Sequence, residues 1–128
     1  MRVDEAAGLT VADVTHSRAA ALTPSVKVGE VQAWFASSTS HRLALIADAG
    51  RYLGRLVPED VAGADPQQPA VEFARRGVTV APHEPASRGE ELALESGIRR
   101  VPVVDSDDRL LGIVAITPDL QGFCGTGG

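Results

Sequence analysis

The chain has little of what many functions are built from. It holds one cysteine, one methionine and one tryptophan, and aromatic residues make up only 4%. The lone Cys124 cannot close an intramolecular disulfide, and no ligand-type residue stands at metal-binding spacing from it, from His16 or from His83. No metal site is expected. No apolar run approaches the roughly 20 residues that span a bilayer, and Met1-Arg2-Val3-Asp4-Glu5 has no apolar signal core. Basic residues number 12 against 17 acidic ones, for a net charge of −5. That balance excludes a general nucleic-acid surface, though not a local basic pocket for an anion. The sequence also lacks a Ser-His-Asp order, a nucleophile elbow and a phosphate-cradling glycine loop, so no catalytic residue is assigned. Asp105-Ser106-Asp107-Asp108 has the look of a calcium loop but lacks its glycine and distal glutamate, and reads as a hairpin turn. These absences predict a cytoplasmic, non-enzymatic protein with no nucleic-acid or membrane partner.

What the sequence does contain, it says nearly twice. Arg51-Tyr52-Leu53-Gly54-Arg55-Leu56-Val57 returns as Arg109-Leu110-Leu111-Gly112-Ile113-Val114-Ala115. Gly54 and Gly112 stand 58 positions apart, as do Pro24 and Pro82, Arg42 and Arg100, and Ser38 and Ser96. A repeat of this length is one supersecondary unit copied, and a single copy would leave a hydrophobic face bare. With 44% hydrophobic residues in 128, the pair is large enough to bury a core where one copy is not.

Each copy predicts strand–helix–strand–strand–helix. Val11 to Val14 forms a helical turn leading into the first unit, and Ala20-Ala21-Leu22 a weak strand. Ser25 is placed to cap a helix over Lys27 to Ser38, where Val28, Val31, Trp34 and Phe35 fall at helical spacing. Core burial of both Trp34 and Phe35 is expected. Leu43 to Ala47 and Tyr52 to Val57 are strands, and Pro58-Glu59-Asp60 opens a helix with acids near its positive end. Residues 63–69, with two prolines, read as a linker. Then follow a short helix over Ala70 to Arg76, a strand at Val78-Thr79-Val80, a helix from Pro85 to Ser96 and strands at Val101 to Val104 and Leu110 to Ile116. Glycines 122, 125, 127 and 128 leave little helix potential, so the last helix is expected short or missing. The expected domains are 11–62, a linker at 63–69, 70–121 and a flexible tail at 122–128.

Gly97-Ile98-Arg99-Arg100-Val101-Pro102-Val103-Val104-Asp105, followed by Asp108-Arg109-Leu110-Leu111-Gly112-Ile113-Val114, resembles a CBS domain. His41-Arg42-Leu43-Ala44-Leu45-Ile46, with Gly50 to Val57 and Glu59-Asp60-Val61, is a weaker second copy. The chain is thus similar to a tandem CBS pair, or Bateman module. The resemblance implies an α+β fold of two β-α-β-β-α units packed with pseudo-twofold symmetry, and often a homodimer. It implies a regulatory, non-catalytic module acting on a partner protein, with AMP, ADP, ATP or S-adenosylmethionine bound in the cleft between units. A ligand-free interaction scaffold is the alternative.

The family pattern Gly-hydrophobic-hydrophobic-Thr/Ser-x-x-Asp supplies a hydroxyl and a carboxylate at the start of the last helix. Here Val57 stands in the hydroxyl position, with Asp60 in place. In the second copy Ala115 replaces the hydroxyl, Asp119 comes one residue late, and Thr117 offers a shifted hydroxyl. Asp60 reads either as a ribose ligand or as a first-turn acid favoured by the helix dipole; Asp119 reads chiefly as a helix cap. Arg42 and Arg100 directly precede the buried strands, where the resemblance places a phosphate-binding base, and guanidinium suits bidentate phosphate contacts; with acids outnumbering bases 17 to 12, each also reads as a solvated arginine paired with a nearby acid. Leu43-Ala44 and Val101-Pro102 would line an adenine pocket or serve as plain core. Thr23 would lie near the adenine end, or simply precede the turn at Pro24.

Overall fold

A computed structural model describes residues 1–16 and 21–124. Its elements are α1 (Val11–Val14), β1 (Ala21–Leu22), α2 (Val28–Ala36), β2 (Ala44–Asp48), β3 (Arg51–Leu56), α3 (Pro58–Val61), α4 (Ala86–Glu95), β4 (Arg100–Val104) and β5 (Leu110–Ala115). Short 3₁₀ turns span Val3–Glu5 and Ala70–Phe73. The chain divides into two compact units, one containing residues 21–77 and the other residues 1–16 with 78–124.

In the first unit β1 runs parallel to β2, and β2 runs antiparallel to β3. Val28 and Val31 on α2, Ile46 on β2, Leu56 on β3 and Val61 on α3 are buried together. The apolar run Ala44-Leu45-Ile46 of β2 suits a covered strand, and α2 and α3 supply the cover. In the second unit β4 and β5 form an antiparallel pair, and Val101, Val103 and Val114 pack with Ala86 and Ala93 of α4. Val11 and Val14 of α1 and Phe123 complete that core.

Residues 11–16 therefore pack with the later copy, where the sequence suggested that they lead into the first. Thr10 bridges to Pro85 and His16 to Ile113. In the first unit, Lys27 bridges to Pro69 and Arg55 to Arg75 by the same pattern. The expected linker at 63–69 thus lies inside a compact unit: Val28 N–H donates to Gln68 O at 2.9 Å, and Ala70 N–H to Val26 O at 2.9 Å.

Other expectations are corrected locally. The helix expected over Ala70 to Arg76 stops at Phe73, because Arg75 turns to pair with β3. The strand at Val78-Thr79-Val80 reduces to one parallel bridge, Val80 to Val103. Ser25 does not cap α2; its hydroxyl meets that of Thr23 at 2.9 Å, and Lys27 holds the N-cap position. Ala20 of the weak first strand and residues 125–128 of the expected tail lie outside the described residues. Gly122 and Phe123, also placed in that tail, are not loose. Phe123 is buried and bridges to Ile116, and Gly122 bridges to Arg2. No helix follows β5 among the described residues, so the missing last helix is found as expected; α1, from the N-terminal segment, packs against α4.

The repeat is also not of one constant length. β3 and β5 carry the same bulge, at Leu53 and Leu111, which are 58 apart. Gly54 pairs with Ile46 and Gly112 with Val103, a spacing of 57 in the inner strands. The turn after β4 is one residue longer. Asp105 Oδ1 accepts N–H groups from Asp107 and Arg109 there, each at 2.9 Å, as expected of a turn. The helix C-caps match as Ser37 and Ser96, not Ser38 and Ser96. Ser37 Oγ donates to Trp34 O at 2.7 Å, and Ser96 Oγ to Ala93 O at 2.6 Å.

Candidate functional site

The register decides which candidate residues can act together. In the first unit Ala44 pairs with Leu56, so Arg42, Leu43 and Ala44 share one end of the sheet with Val57 to Asp60. Thr23 does not join them. It follows Leu22, which pairs with Ile46, and so lies level with Ala47 toward the opposite end of the sheet. At ~3.3 Å per residue, three strand positions separate that level from Ala44 by about 10 Å. In the second unit Arg100 pairs with Ala115, and Val101 with Val114, so Arg100, Val101, Pro102 and Thr117 again gather at one end.

Arg42 is exposed and makes no ion pair or side-chain hydrogen bond among the described residues. Its structural counterpart is Arg99 rather than Arg100, because the inner strands align at 57. Arg99 is half-buried with φ 58, and its Nε donates to Ile116 O at 3.3 Å. Arg100 is half-buried, and its guanidinium donates to Ile98 O at 3.0 Å. Leu43, just before β2, and the strand residues Ala44, Val101 and Pro102 are buried.

Asp60 is a helix-capping acid. Val57 N–H donates to its Oδ2 at 2.8 Å, closing the first turn of α3. Its Oδ1 lies 4.0 Å from Arg75 Nε. One oxygen thus serves the helix while the other faces Arg75. Asp119 caps no helix. Its Oδ1 accepts from the Thr117 hydroxyl and from Gln121 N–H, the latter at 3.0 Å. The Thr117 bond, then that from Gln121, holds its carboxyl below the usual range. Thr117 Oγ1 in turn accepts from Gly122 N–H at 3.0 Å. The shifted hydroxyl and the late carboxylate are spent on each other.

An intact hydroxyl–carboxylate pair occurs elsewhere. Thr10 N–H donates to Asp13 Oδ2 at 2.8 Å and Thr10 Oγ1 donates to it at 3.0 Å, at the start of α1. Gly8-Leu9-Thr10-Val11-Ala12-Asp13 carried that spacing in the sequence, upstream of where the repeat directed attention.

Trp34 and Phe35 are not both core. Phe35 packs against the first unit's core, while Trp34 is 37% exposed and stacks on His41 with centroids 4.1 Å apart. The His41 Nδ1 hydrogen bond to Trp34 O at 2.7 Å fixes the ring there.

Sequence reasoning missed the arginines around β3. Arg55 and Arg75 pair through their main chains, Arg55 N–H to Arg75 O at 2.7 Å and Arg75 N–H to Arg55 O at 3.0 Å. Arg76 lies over the Tyr52 ring at 5.3 Å, and the Tyr52 hydroxyl donates to Arg76 O at 2.9 Å. The doubled Arg75-Arg76 before Gly77 was the available signal. Burial pushes the Tyr52 phenol up to about 12, against the pull of Arg55 and Arg76. The unfolded chain loses this proton near pH 10 while the native state keeps it. Stability contributed by the neutral phenol is therefore complete below pH 10 and lost as pH rises toward 12. At ~1.4 kcal/mol per unit, up to about 2–3 kcal/mol is at stake. Urea melts at pH 8 and pH 11.5 should show this loss in the parent and not in Tyr52→Phe; equal losses in both would refute the assignment.

The family comparison meets this geometry. A family model for the CBS domain matches residues 70–117. Residues 70–117 form a CBS domain. The chain's fold is that of solved CBS pairs. The cystathionine beta-synthase pair domain of a putative Mg²⁺ transporter from Shewanella oneidensis MR-1 is similar at a TM-score of 0.75, with 19% identity over 88% of this chain and 68% of that one. The cytosolic domain of the Mg²⁺ channel MgtE, solved in complex with ATP, gives 0.63 and 25% identity over 77% of this chain and 42% of that one. CBSX2, solved in complex with AMP, gives 0.69 and 20% identity over 84% of this chain and 90% of that one. No curated protein matches the sequence.

Proposed function

We propose that this chain is a non-catalytic regulatory CBS module that binds an adenine-containing nucleotide, AMP, ADP, ATP or S-adenosylmethionine, and reports its level to a partner protein. The observation that carries this reading is the register, which in each unit brings an arginine and the head of a buried strand to the sheet end where the outer strand finishes. In the first unit that end also holds the Asp60 carboxylate, whose Oδ1 lies 4.0 Å from Arg75 Nε, and the unpaired Arg42. A carboxylate suits a ribose hydroxyl and a free guanidinium suits a phosphate. AMP in CBSX2 and ATP in MgtE make this ligand class reasonable for the fold. Binding acts as a signal to the extent that it favours one conformation of the module over another.

The test is a melting series with AMP, ADP, ATP and S-adenosylmethionine at millimolar concentration. A ligand at a hundred times its dissociation constant adds about 2.7 kcal/mol of stability. Asp60→Asn, which keeps an acceptor for Val57 N–H, and Arg42→Gln should each weaken the shift. No shift with any of the four would sink the reading. The second reading, a homodimeric scaffold without ligand, then takes its place. It is favoured by the closed Thr117–Asp119 pair and by the exposed Trp34 and Leu94 on α2 and α4.

A further inference from the structure

The Arg55–Arg75 pair is unfavourable as it stands. Residues directly opposite in an antiparallel pair carry their side chains on the same face, and like charges there are destabilising. Arg75 is widely exposed, and its guanidinium points toward Asp60, 4.0 Å from the carboxylate. Arg55 leans the other way, over the backbone of Gly77, where a β-carbon would collide with its Nε. No carboxylate pairs with Arg55 among the described residues. Two guanidinium groups thus rise from one ladder rung and splay apart, in a chain whose net charge is −5.

The fold does not require them. The second unit builds the same rung from His16 and Ile113, with His16 N–H to Ile113 O at 2.7 Å and Ile113 N–H to His16 O at 3.1 Å. The backbone arrangement is the same, and there one side chain is a plain hydrocarbon. The architecture explains the rung in both units but not the charges in the first.

We propose that Arg55 and Arg75 form a binding site for a diphosphate group. Guanidinium forks match phosphate oxygens bidentately, and two splayed forks suit two linked phosphates better than one. A diphosphate would neutralise both charges and remove the repulsion. Asp60, which tethers Arg75, would hold its fork in place without neutralising Arg55. The site asks for neither base nor ribose, so it does not rest on the nucleotide reading. A free pyrophosphate and the diphosphate of a nucleotide are both sources of this chemistry.

The experiment is calorimetric titration of the full chain with inorganic pyrophosphate, ADP and AMP at matched ionic strength, with Arg55→Gln, Arg75→Gln and, in the other unit, Arg109→Gln. Pyrophosphate should bind saturably. Arg55→Gln and Arg75→Gln should each weaken it at least tenfold while melting no lower than the parent, since each relieves the like-charge rung. Arg109→Gln should change affinity less than twofold. No saturable pyrophosphate binding, or equal affinity in all three variants, would overturn the proposal. Binding of AMP without pyrophosphate would overturn it and leave the nucleotide reading standing. Pyrophosphate binding without AMP would support it alone, and ADP tighter than both would identify the nucleotide as the source.

Discussion

Gly112→Ala is expected to destabilise the second unit by about 3–5 kcal/mol and to lower the melting temperature by about 10 °C or more. Gly112 has φ 151, a backbone conformation that a side chain strains. The larger cost is spatial. A β-carbon there would run into the carbonyl oxygen of His16 and come within 2.8 Å of Thr15 Cγ2. The backbone oxygen cannot rotate aside, because His16 is hydrogen-bonded to Ile113 in both directions. Relief requires breaking that rung, which exposes Val11 and Val14 behind it. Gly54→Ala provides the internal comparison. Its β-carbon would meet Ala74 Cβ at 3.1 Å and Arg75 C at 3.2 Å, tight contacts that a small shift relieves. Thermal and urea melts of the two variants should therefore differ, with Gly54→Ala costing about 1–2 kcal/mol, in the range of ordinary overpacking. Equal losses would show that the close passage of residues 15–16 over β5 is not what fixes Gly112.

These two glycines also explain what the sequence could reveal. Gly54 and Gly112 sit at matching places because in each unit a chain segment from outside the hairpin crosses directly over β3 or β5. The crossing tolerates no large side chain, so the repeat was legible at those positions. The identity of the crossing segment was not. His16 and Ile113 are far apart in sequence, and no periodicity links a four-residue helix to a strand that distant. The same limit hid the one-residue difference in the turns. At a constant 58 Arg42 matched Arg100, and only the paired bulges at Leu53 and Leu111 reveal that Arg99 is its counterpart. Trp34 was misjudged because its spacing fits the apolar face of α2, while its partner His41 lies beyond the helix end. The ends of the outer strands were read in part. Val57 and Ala115 are local departures from a local pattern, and Asp60 caps α3 as a first-turn acid can, while Asp119, read as a helix cap, accepts from Thr117 and Gln121 with no helix after it among the described residues.

The last and largest expectation concerns the N-terminal segment. Deleting residues 1–16 should unfold the second unit, although the residues matched by the CBS family model all lie at 70–117. The segment gives that unit Ala6, Val11 and Val14, all buried, with both valines fully so. Burying a valine contributes about 1.5–2 kcal/mol. Seven backbone hydrogen bonds also join it to residues 78–124, among them Val11 N–H to Glu84 O at 2.8 Å and Phe123 N–H to Met1 O at 2.7 Å. Each is worth about 1 kcal/mol net, and each buried partner left unpaired costs more. The total lost is on the order of 5–10 kcal/mol, comparable to the whole stability of a small domain. Amide hydrogen exchange locates the effect. Protection at Val103 and Val114 should disappear in the truncated chain, because their strands would lose α1 and the rung at Ile113. Ile46 and Leu56, whose core contains no residue of the segment, report on the first unit separately. Retained protection at Val103 and Val114 would mean that the β4–β5 hairpin and α4 stand without it. Restoring residues 1–16 as a free peptide should then rescue protection if the segment acts by packing alone, since its contacts with this unit require no covalent link.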